Sequence, residues 1–188
     1  MDKQTLAARV RTVLNEYGSD FNFSISEDNV KLDNYIAQAL PDAVEMLSAE
    51  GKMINPKTAN VSVSTGLITL PDDFISLISV KLPTWYIAAT YIAEKGSPEY
   101  RRAMNTYTPP GLNTPICFRE NENTVAVLPA TATDTATLLY NAKLEETFNG
   151  DSKAADAVVY MAASLVLAYF EDDNGKNRLA ELATLYLK

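Results

Sequence analysis

The spacing of apolar residues changes twice along this 188-residue chain, and these changes limit the folds that it can adopt. Apolar side chains recur with the helical period up to about residue 51, and they alternate with a period of two after residue 60. The helical period returns from about residue 151. This order of helices, strands and helices predicts an α+β fold.

Two helices are predicted in the N-terminal part. The first covers residues 5–17, where the apolar residues share one face, and Gly18 should end it. The second should begin at Ser26, a capping residue that is followed by acids in the first turn, and it should stop at Gly51. Because Pro41 lies inside the second stretch, we expect a kink or a break into two helices there.

The middle of the chain predicts antiparallel strands. Thr65-Gly66 separates two β-branched runs, which indicates a hairpin, and a second hairpin should turn at residues 120–123. The last strand should pair with the strand before it in a meander. Between the hairpins, a capping serine, a proline and an acid at residues 97–99 predict a short helix. The expected strands cover residues 61–63, 67–68, 74–82, 116–119, 124–128 and 136–144.

The C-terminal part predicts two more helices. Residues 154–170 are apolar on most sides, so this helix should lie at the centre of a helical bundle. Asn174-Gly175 should make the next turn, before a final helix that runs to Lys188.

The helices from the two ends of the chain should pack together, because each of the terminal ones has a single apolar stripe that needs a partner. We therefore expect one domain, in which the strands are inserted between the two halves of the bundle. The bundle should comprise residues 1–54 and 151–188, and the β-rich insertion residues 55–150.

The residue types that most enzymes use are scarce. The chain has no histidine, which removes the usual general base and the commonest zinc ligand. Its one cysteine, Cys117, would need a lysine or another charge effect to become a reactive thiolate. The seven glycines are scattered singly, so there is no glycine-rich phosphate loop. We predict no enzymatic activity, no cofactor and no metal.

Two pairs of polar residues have simple structural interpretations. Glu145 and Glu146 are adjacent at the end of a predicted strand, so their side chains point to opposite faces and cannot flank one bond. Ser152-Lys153 is better explained as part of a helix cap, which Asp151 or Ser152 would provide, than as a catalytic dyad.

A calcium loop is also a candidate near the C-terminus. Phe170 occupies its first position, where a ligand is required, so we interpret the segment as an acidic turn between helices. Four residues match positions three, five, six and twelve of such a loop: Asp172, Asn174, Gly175 and Glu181.

The formal net charge of −8 argues against a chain that grips a phosphate backbone, but an acidic wall would let DNA slide past. Residues 27–50 contain six acids and one lysine, which indicates either a solvated face or the wall of a channel. The acids that we predict to face a channel are Asp33, Asp42 and Glu45.

Two surfaces are candidates for contact with a partner. Tyr100-Arg101-Arg102 and Tyr107 form a basic and aromatic cluster that could bind nucleic acid or protein, although such a cluster on a short helix is usually a solvated face. Leu185 and Tyr186 are the second candidate, at the end of the last helix.

No membrane segment or export signal is expected. The apolar stretch 154–170 contains Asp156 and Ser164 and is shorter than the roughly 20 residues that a bilayer requires. Residues 1–5 lead directly into an amphipathic pattern instead of the apolar run of a secretory signal. We expect synthesis in a reducing cytoplasm.

Three passages carry a family resemblance. Residues 70–74, Leu-Pro-Asp-Asp-Phe, precede an apolar strand; residues 124–129 and 137–143 are paired strands with a tyrosine near the end; and residues 156–170 precede the closing helix. In this order they resemble the phage head-to-tail connector proteins, the adaptor or ring proteins beneath the portal, including those of podovirus-like and crAss-like phages.

This resemblance implies a virion protein that forms a homo-oligomeric ring, typically a dodecamer, with a channel through which DNA passes without sequence-specific binding. It also implies contact with the portal protein and with other tail or ring proteins. In relatives the C-terminal segment often extends beyond the bundle to dock on the portal, whereas here the last helix ends at Leu187-Lys188. Contact with other ring proteins is therefore an alternative to portal docking.

We predict a connector adaptor subunit beneath the portal, with a tail tube or tail-completion protein as the alternative. Two other classes remain open: a hydrolase that uses carboxylates alone, which no spacing supports, and a cytosolic interaction module, which would be absent from virions.

Overall fold

The computed structural model describes residues 1–17, 26–130, 133–170 and 172–188. These residues have an α+β fold, as predicted, with five helices and one seven-stranded sheet. In chain order the elements are α1 (Lys3–Tyr17), α2 (Ser26–Ala49), β1 (Pro56–Ser64), β2 (Leu67–Thr69), β3 (Phe74–Lys81), β4 (Ile92–Ala93), α3 (Pro98–Ala103), β5 (Ile116–Asn121), β6 (Thr124–Leu128), β7 (Thr133–Ala142), α4 (Ser152–Tyr169) and α5 (Asp173–Tyr186).

The chain divides into two compact units. The helical unit comprises Met1–Asn55 and Lys143–Lys188, and the sheet unit comprises Pro56–Ala142. No helix within the described residues is long and apolar enough to cross a membrane.

In the helical unit, α4 packs against α1, α2 and α5, as its apolar composition predicts. The carboxylate of Asp151 caps α4 by accepting a hydrogen bond from the backbone N–H of Ala154 at 2.8 Å. Asp156, which interrupts the apolar sequence of α4, forms an ion pair with Arg9 of α1. A charged residue in an apolar helix is thus matched by a partner on the neighbouring helix.

Three sequence predictions for the helices need correction. Of the two alternatives predicted at Pro41, a kink or a break into two helices, the break is wrong, because α2 is continuous through the proline. Buried residues before and after Pro41 pack in one core, and their burial outweighs the loss of one backbone hydrogen bond. Asn174-Gly175 lies in the first turn of α5 instead of forming a separate turn, since Asp172 caps that helix. The last helix ends at Tyr186, two residues before Lys188.

The predicted stop at Gly51 is confirmed. Gly51 has a φ of 76°, a left-handed conformation that glycine adopts easily, and its N–H donates to the carbonyl of Ser48 at 3.2 Å. Gly18, the predicted end of the first helix, lies outside the described residues.

The sheet has the strand order β3-β7-β1-β2-β6-β5-β4. Both predicted hairpins are confirmed, because β1 pairs with β2 and β5 pairs with β6 in antiparallel fashion. At the first turn, Thr65 and Gly66 both have positive φ, 52° and 77°, as a two-residue turn of type I′ requires. The longest pairing joins β1 to β7, from Pro56 opposite Asn141 to Ser64 opposite Thr133.

Two predictions about strand pairing are wrong. The last strand forms no meander with its predecessor: β7 lies between β1 and β3, while both edges of β6 are taken by β2 and β5. The sheet is also not entirely antiparallel, because β4 runs parallel to β5. The connection of residues 94–115, which contains α3, is long enough to bring the chain back to the same end, as a parallel pair requires.

The passage Leu70-Pro71-Asp72-Asp73-Phe74 leads into β3 and attaches it to the centre of the sheet. The carboxylate of Asp73 accepts hydrogen bonds from Lys57 Nζ of β1 at 2.5 Å and from the hydroxyl of Tyr140 of β7 at 2.8 Å. Burial alone would raise the pKa of Asp73, but these two bonds, with the charge of Lys57, hold it below its ordinary value. Asp73 therefore joins the start of an edge strand to two central strands.

After β3 the chain crosses the core of the sheet unit. Trp85 is buried there, and its indole N–H donates to the carbonyl of Pro129 at 2.7 Å. Tyr86 and Ile87, which follow Trp85, are exposed at the surface.

Candidate functional site

The residues that sequence analysis considered for catalysis have structural roles. Cys117 lies in β5 in the core of the sheet unit, and burial raises the pKa of its thiol to about 12. The thiol therefore stays protonated at neutral pH, which is the opposite of an activated nucleophile. Glu145 and Glu146 are exposed beyond the end of β7, and the carbonyl of Glu146 accepts from the N–H of Lys3.

The calcium-loop candidate is a helix N-terminus. The carboxylate of Asp172 accepts from the backbone N–H of Gly175 at 3.0 Å, and α5 starts at Asp173. Glu181 is thus about two turns into the helix, where it cannot close a twelve-residue loop. Packing explains the glycine at position 175 instead, because a Cβ there would lie only 2.7 Å from Leu167 Cδ1. Among the described residues, no group of three or more histidine, cysteine, aspartate or glutamate side chains could hold a metal.

The four residues of the predicted basic and aromatic cluster have different surroundings. Tyr100, Arg101 and Arg102 belong to α3, and Tyr107 follows the helix. Ser97 caps the helix by accepting from the N–H of Tyr100 at 3.1 Å. The ring of Tyr100 packs edge-on against Phe118 of β5, with centroids 5.1 Å apart, so Tyr100 attaches the helix to the sheet. Arg101 and Arg102 are exposed, and 93% of Tyr107 is accessible to solvent.

A groove of about 240 Å³ lies beside α3. Arg102 and Glu99 of α3 contribute to it, together with Tyr91 and the proline-containing loop that follows the helix. Tyr86, 68% exposed, lies in the same part of the chain, and its N–H donates to the carbonyl of Leu112 at 3.0 Å. We call Tyr91, Arg101, Arg102, Met104 and Tyr107 the α3 patch; each of them is exposed.

Sequence analysis missed the aromatic part of this surface. Tyr86, Ile87 and Tyr91 are exposed, although they belong to a segment rich in apolar residues. The irregular spacing of apolar residues in this segment was the signal that could have indicated exposure, because a segment without a helical or strand period need not bury one face.

The three acids that we predicted to face a channel all lie on the exposed side of α2. Asp33 forms an ion pair with Arg11 of α1, so its charge is partly neutralised. Asp42 and Glu45 are three residues apart and therefore share a helix face, and neither forms an ion pair with a described residue. We call Asp42, Glu45 and the half-exposed Met46 the α2 acidic face.

The second predicted partner surface is at the end of α5. Leu185 is 60% exposed, whereas the ring of Tyr186 stacks on Tyr160 with centroids 5.3 Å apart and is covered on that side. Tyr186 also lines a small pocket with several lysines, and Lys52 Nζ approaches the carbonyl of Leu187 at 3.4 Å. Leu185 is thus the more available of the two predicted contact residues.

A comparison with known protein families agrees with the earlier resemblance. The family model for the SU10 adaptor protein matches residues 1–188. No curated protein matches the chain. The match extends over both the helical unit and the sheet unit, so the chain belongs to the SU10 adaptor protein family of phage adaptor proteins.

Proposed function

We propose that this chain is a structural subunit of the phage head-to-tail connector. Copies of it form a ring beneath the portal, and the ring encloses a channel for genome packaging and ejection. The family match over residues 1–188 carries this proposal, because an adaptor joins other proteins of the virion. The virion, assembled in the host cytoplasm, is then its location.

The side chains favour assembly over catalysis. The single thiol is buried and held protonated, and the sequence has no histidine to act as a general base. Tyr91, Met104 and Tyr107 of the α3 patch are instead exposed to solvent, and clusters of exposed apolar side chains are typical of protein-binding surfaces. We therefore propose a role without enzymatic activity.

The finer architecture is part of the same proposal. The helices of both chain ends form one bundle, residues 1–54 and 151–188, and residues 55–150 are inserted between its halves. The ring is a dodecamer that contacts the portal protein and other ring or tail proteins. DNA passes through it without sequence-specific contacts, and a subunit charge of −8 keeps the attraction to phosphates weak.

Imaging of assembled particles by electron cryomicroscopy tests the proposal. We expect density for this chain as a closed ring directly below the portal, with an open axis wide enough for duplex DNA. Copies distributed along the tail, or at its far end, would favour the alternative of a tail tube or tail-completion protein. Absence of the chain from purified particles would contradict both.

A further inference from the structure

Two exposed surfaces of this chain have opposite charges. The α3 patch contains Arg101 and Arg102, neither of which forms an ion pair with a described residue. The α2 acidic face contains Asp42 and Glu45, which likewise lack such a partner. Because copies of a chain with a charge of −8 repel one another, local pairs of opposite sign determine which surfaces approach.

We propose that the α3 patch of one subunit binds the α2 acidic face of the neighbouring subunit. This inference rests on the proposed ring function and adds the two surfaces that join its subunits. The occupant of the groove beside α3 is thus a second copy of this chain.

The groove beside α3 suits an apolar side chain with charged neighbours. Tyr91, Pro110 and Ile116 are among the residues that line its wall, and Glu99 and Arg102 of α3 line it as well. An arginine in a groove with both polar and apolar lining can pair with a carboxylate while the apolar part of the groove receives an uncharged side chain.

The α2 acidic face provides that combination. Met46 is 50% exposed and is unbranched, so its side chain can adapt to an irregular groove. Asp42 lies one turn before Met46 on the same face, and Glu45 is three residues after Asp42; all three residues are exposed. Binding of one helix face in a groove is a common mode of protein recognition.

A second copy is the favoured occupant because every subunit has both surfaces. A contact between two different surfaces of identical chains is heterologous, and repeated heterologous contacts form a ring when the rotation between copies closes. A contact between identical surfaces would produce a closed pair instead. The charge complementarity of α2 and α3 is therefore of the kind that a ring requires.

This assignment gives Asp42 and Glu45 a different role from the channel wall that the sequence suggested. Charge reversal distinguishes the two roles, because acids that face a channel can be reversed without loss of subunit contact. In one variant Arg101→Glu and Arg102→Glu are combined, in a second Asp42→Lys and Glu45→Lys, and a third contains all four changes. A control, Glu145→Lys with Glu146→Lys, alters the net charge as the second variant does at exposed positions outside both surfaces.

The measurement is the number of copies of this chain per purified particle, obtained by quantitative mass spectrometry from cells that produce all other virion proteins. Circular dichroism melting confirms that each variant folds. In each of the two variants with one reversed surface, we expect the number of copies per particle to fall at least about tenfold, because like charges then face each other. The variant with all four substitutions should recover most of this loss, because opposite charges face each other again. The control should remain near wild type.

The outcomes separate this inference from the proposed function. If the wild-type chain is in particles and both reversed variants enter them normally, the inference is wrong and the adaptor function stands. Failure of the four-fold variant to recover, or an equal loss in the control, would also overturn the inference. If the wild-type chain is absent from particles, the proposed function itself fails.

Discussion

At the scale of single residues, Gly150 leaves the least space for a Cβ among the glycines that the structure describes. A Cβ there would overlap the carbonyl oxygen of Ile54 and the ring of Phe148, and Phe148 is fully buried. Neither group can move without a shift of the backbone or of a packed ring.

We predict that Gly150→Ala lowers the free energy of unfolding by about 1–3 kcal/mol, the usual effect of overpacking a core. Gly111→Ala is the matched control, because the nearest atom to its Cβ, Thr114 Oγ1, would be at an ordinary distance of 3.6 Å. Urea unfolding followed by circular dichroism gives both values. Equal stability of the two variants would contradict the close approach at Gly150.

Asp73 allows a prediction that includes pH. Asp73→Asn removes the negative charge that pairs with Lys57 and one of the two oxygens that accept from Lys57 Nζ and the Tyr140 hydroxyl, so it should destabilise the fold by about 1–3 kcal/mol near pH 7. The pKa of Asp73 is lowered in the folded state, so its contribution is present above the ordinary value of 3.8 and is lost as pH falls through the folded pKa.

Urea unfolding between pH 7 and pH 2 tests this dependence. The difference in stability between wild type and Asp73→Asn should shrink as the pH falls below 3.8. Asp72→Asn removes the same charge at the neighbouring, exposed position and should have a smaller effect. A difference that stays constant over the whole pH range would show that the charge of Asp73 is not what stabilises the sheet.

At the scale of elements, the turn between β1 and β2 contains a threonine in a conformation that suits it poorly. Thr65 has a φ of 52°, which is unfavourable for a β-branched residue, whereas asparagine tolerates it. We predict that Thr65→Asn stabilises the protein by about 0.5–1 kcal/mol, measured as a shift in the urea midpoint. A loss of stability would mean that the hydrogen bond from the Thr65 hydroxyl to the Ser64 carbonyl, 2.7 Å long, outweighs the backbone strain.

The elements also show where sequence reasoning succeeds and where it fails. Signals that act within a few residues were predicted correctly, as with the stop at Gly51, the cap at Ser97 and the Thr65-Gly66 turn, and the cap at Asp151 is one of the two alternatives predicted there. The partners of β7 were not, because pairing with β1 joins residues far apart in sequence and depends on which strand edges remain open. The continuity of α2 at Pro41 depends in the same way on packing around the helix.

At the scale of the whole molecule, the candidate surfaces were predicted only in part. The sequence predicts Tyr100, Arg101, Arg102 and Tyr107 as one cluster, but the ring of Tyr100 packs on Phe118. Tyr86 and Tyr91 join the exposed region because the chain returns to the surface after the buried Trp85. Which side chains remain outside a core is decided by tertiary packing, and one sequence does not reveal it.

Leu185 offers a test of assembly that is independent of the α2 and α3 surfaces. It is 60% exposed on α5, so Leu185→Glu should change the free energy of unfolding by less than about 0.5 kcal/mol. If this side chain contacts another virion protein, a buried charge should lower the number of copies per particle at least about tenfold. Asn177→Glu, exposed on the same helix, is the matched control and should assemble normally. Normal incorporation of Leu185→Glu would exclude the end of α5 as a contact and leave the α3 patch as the surface to examine.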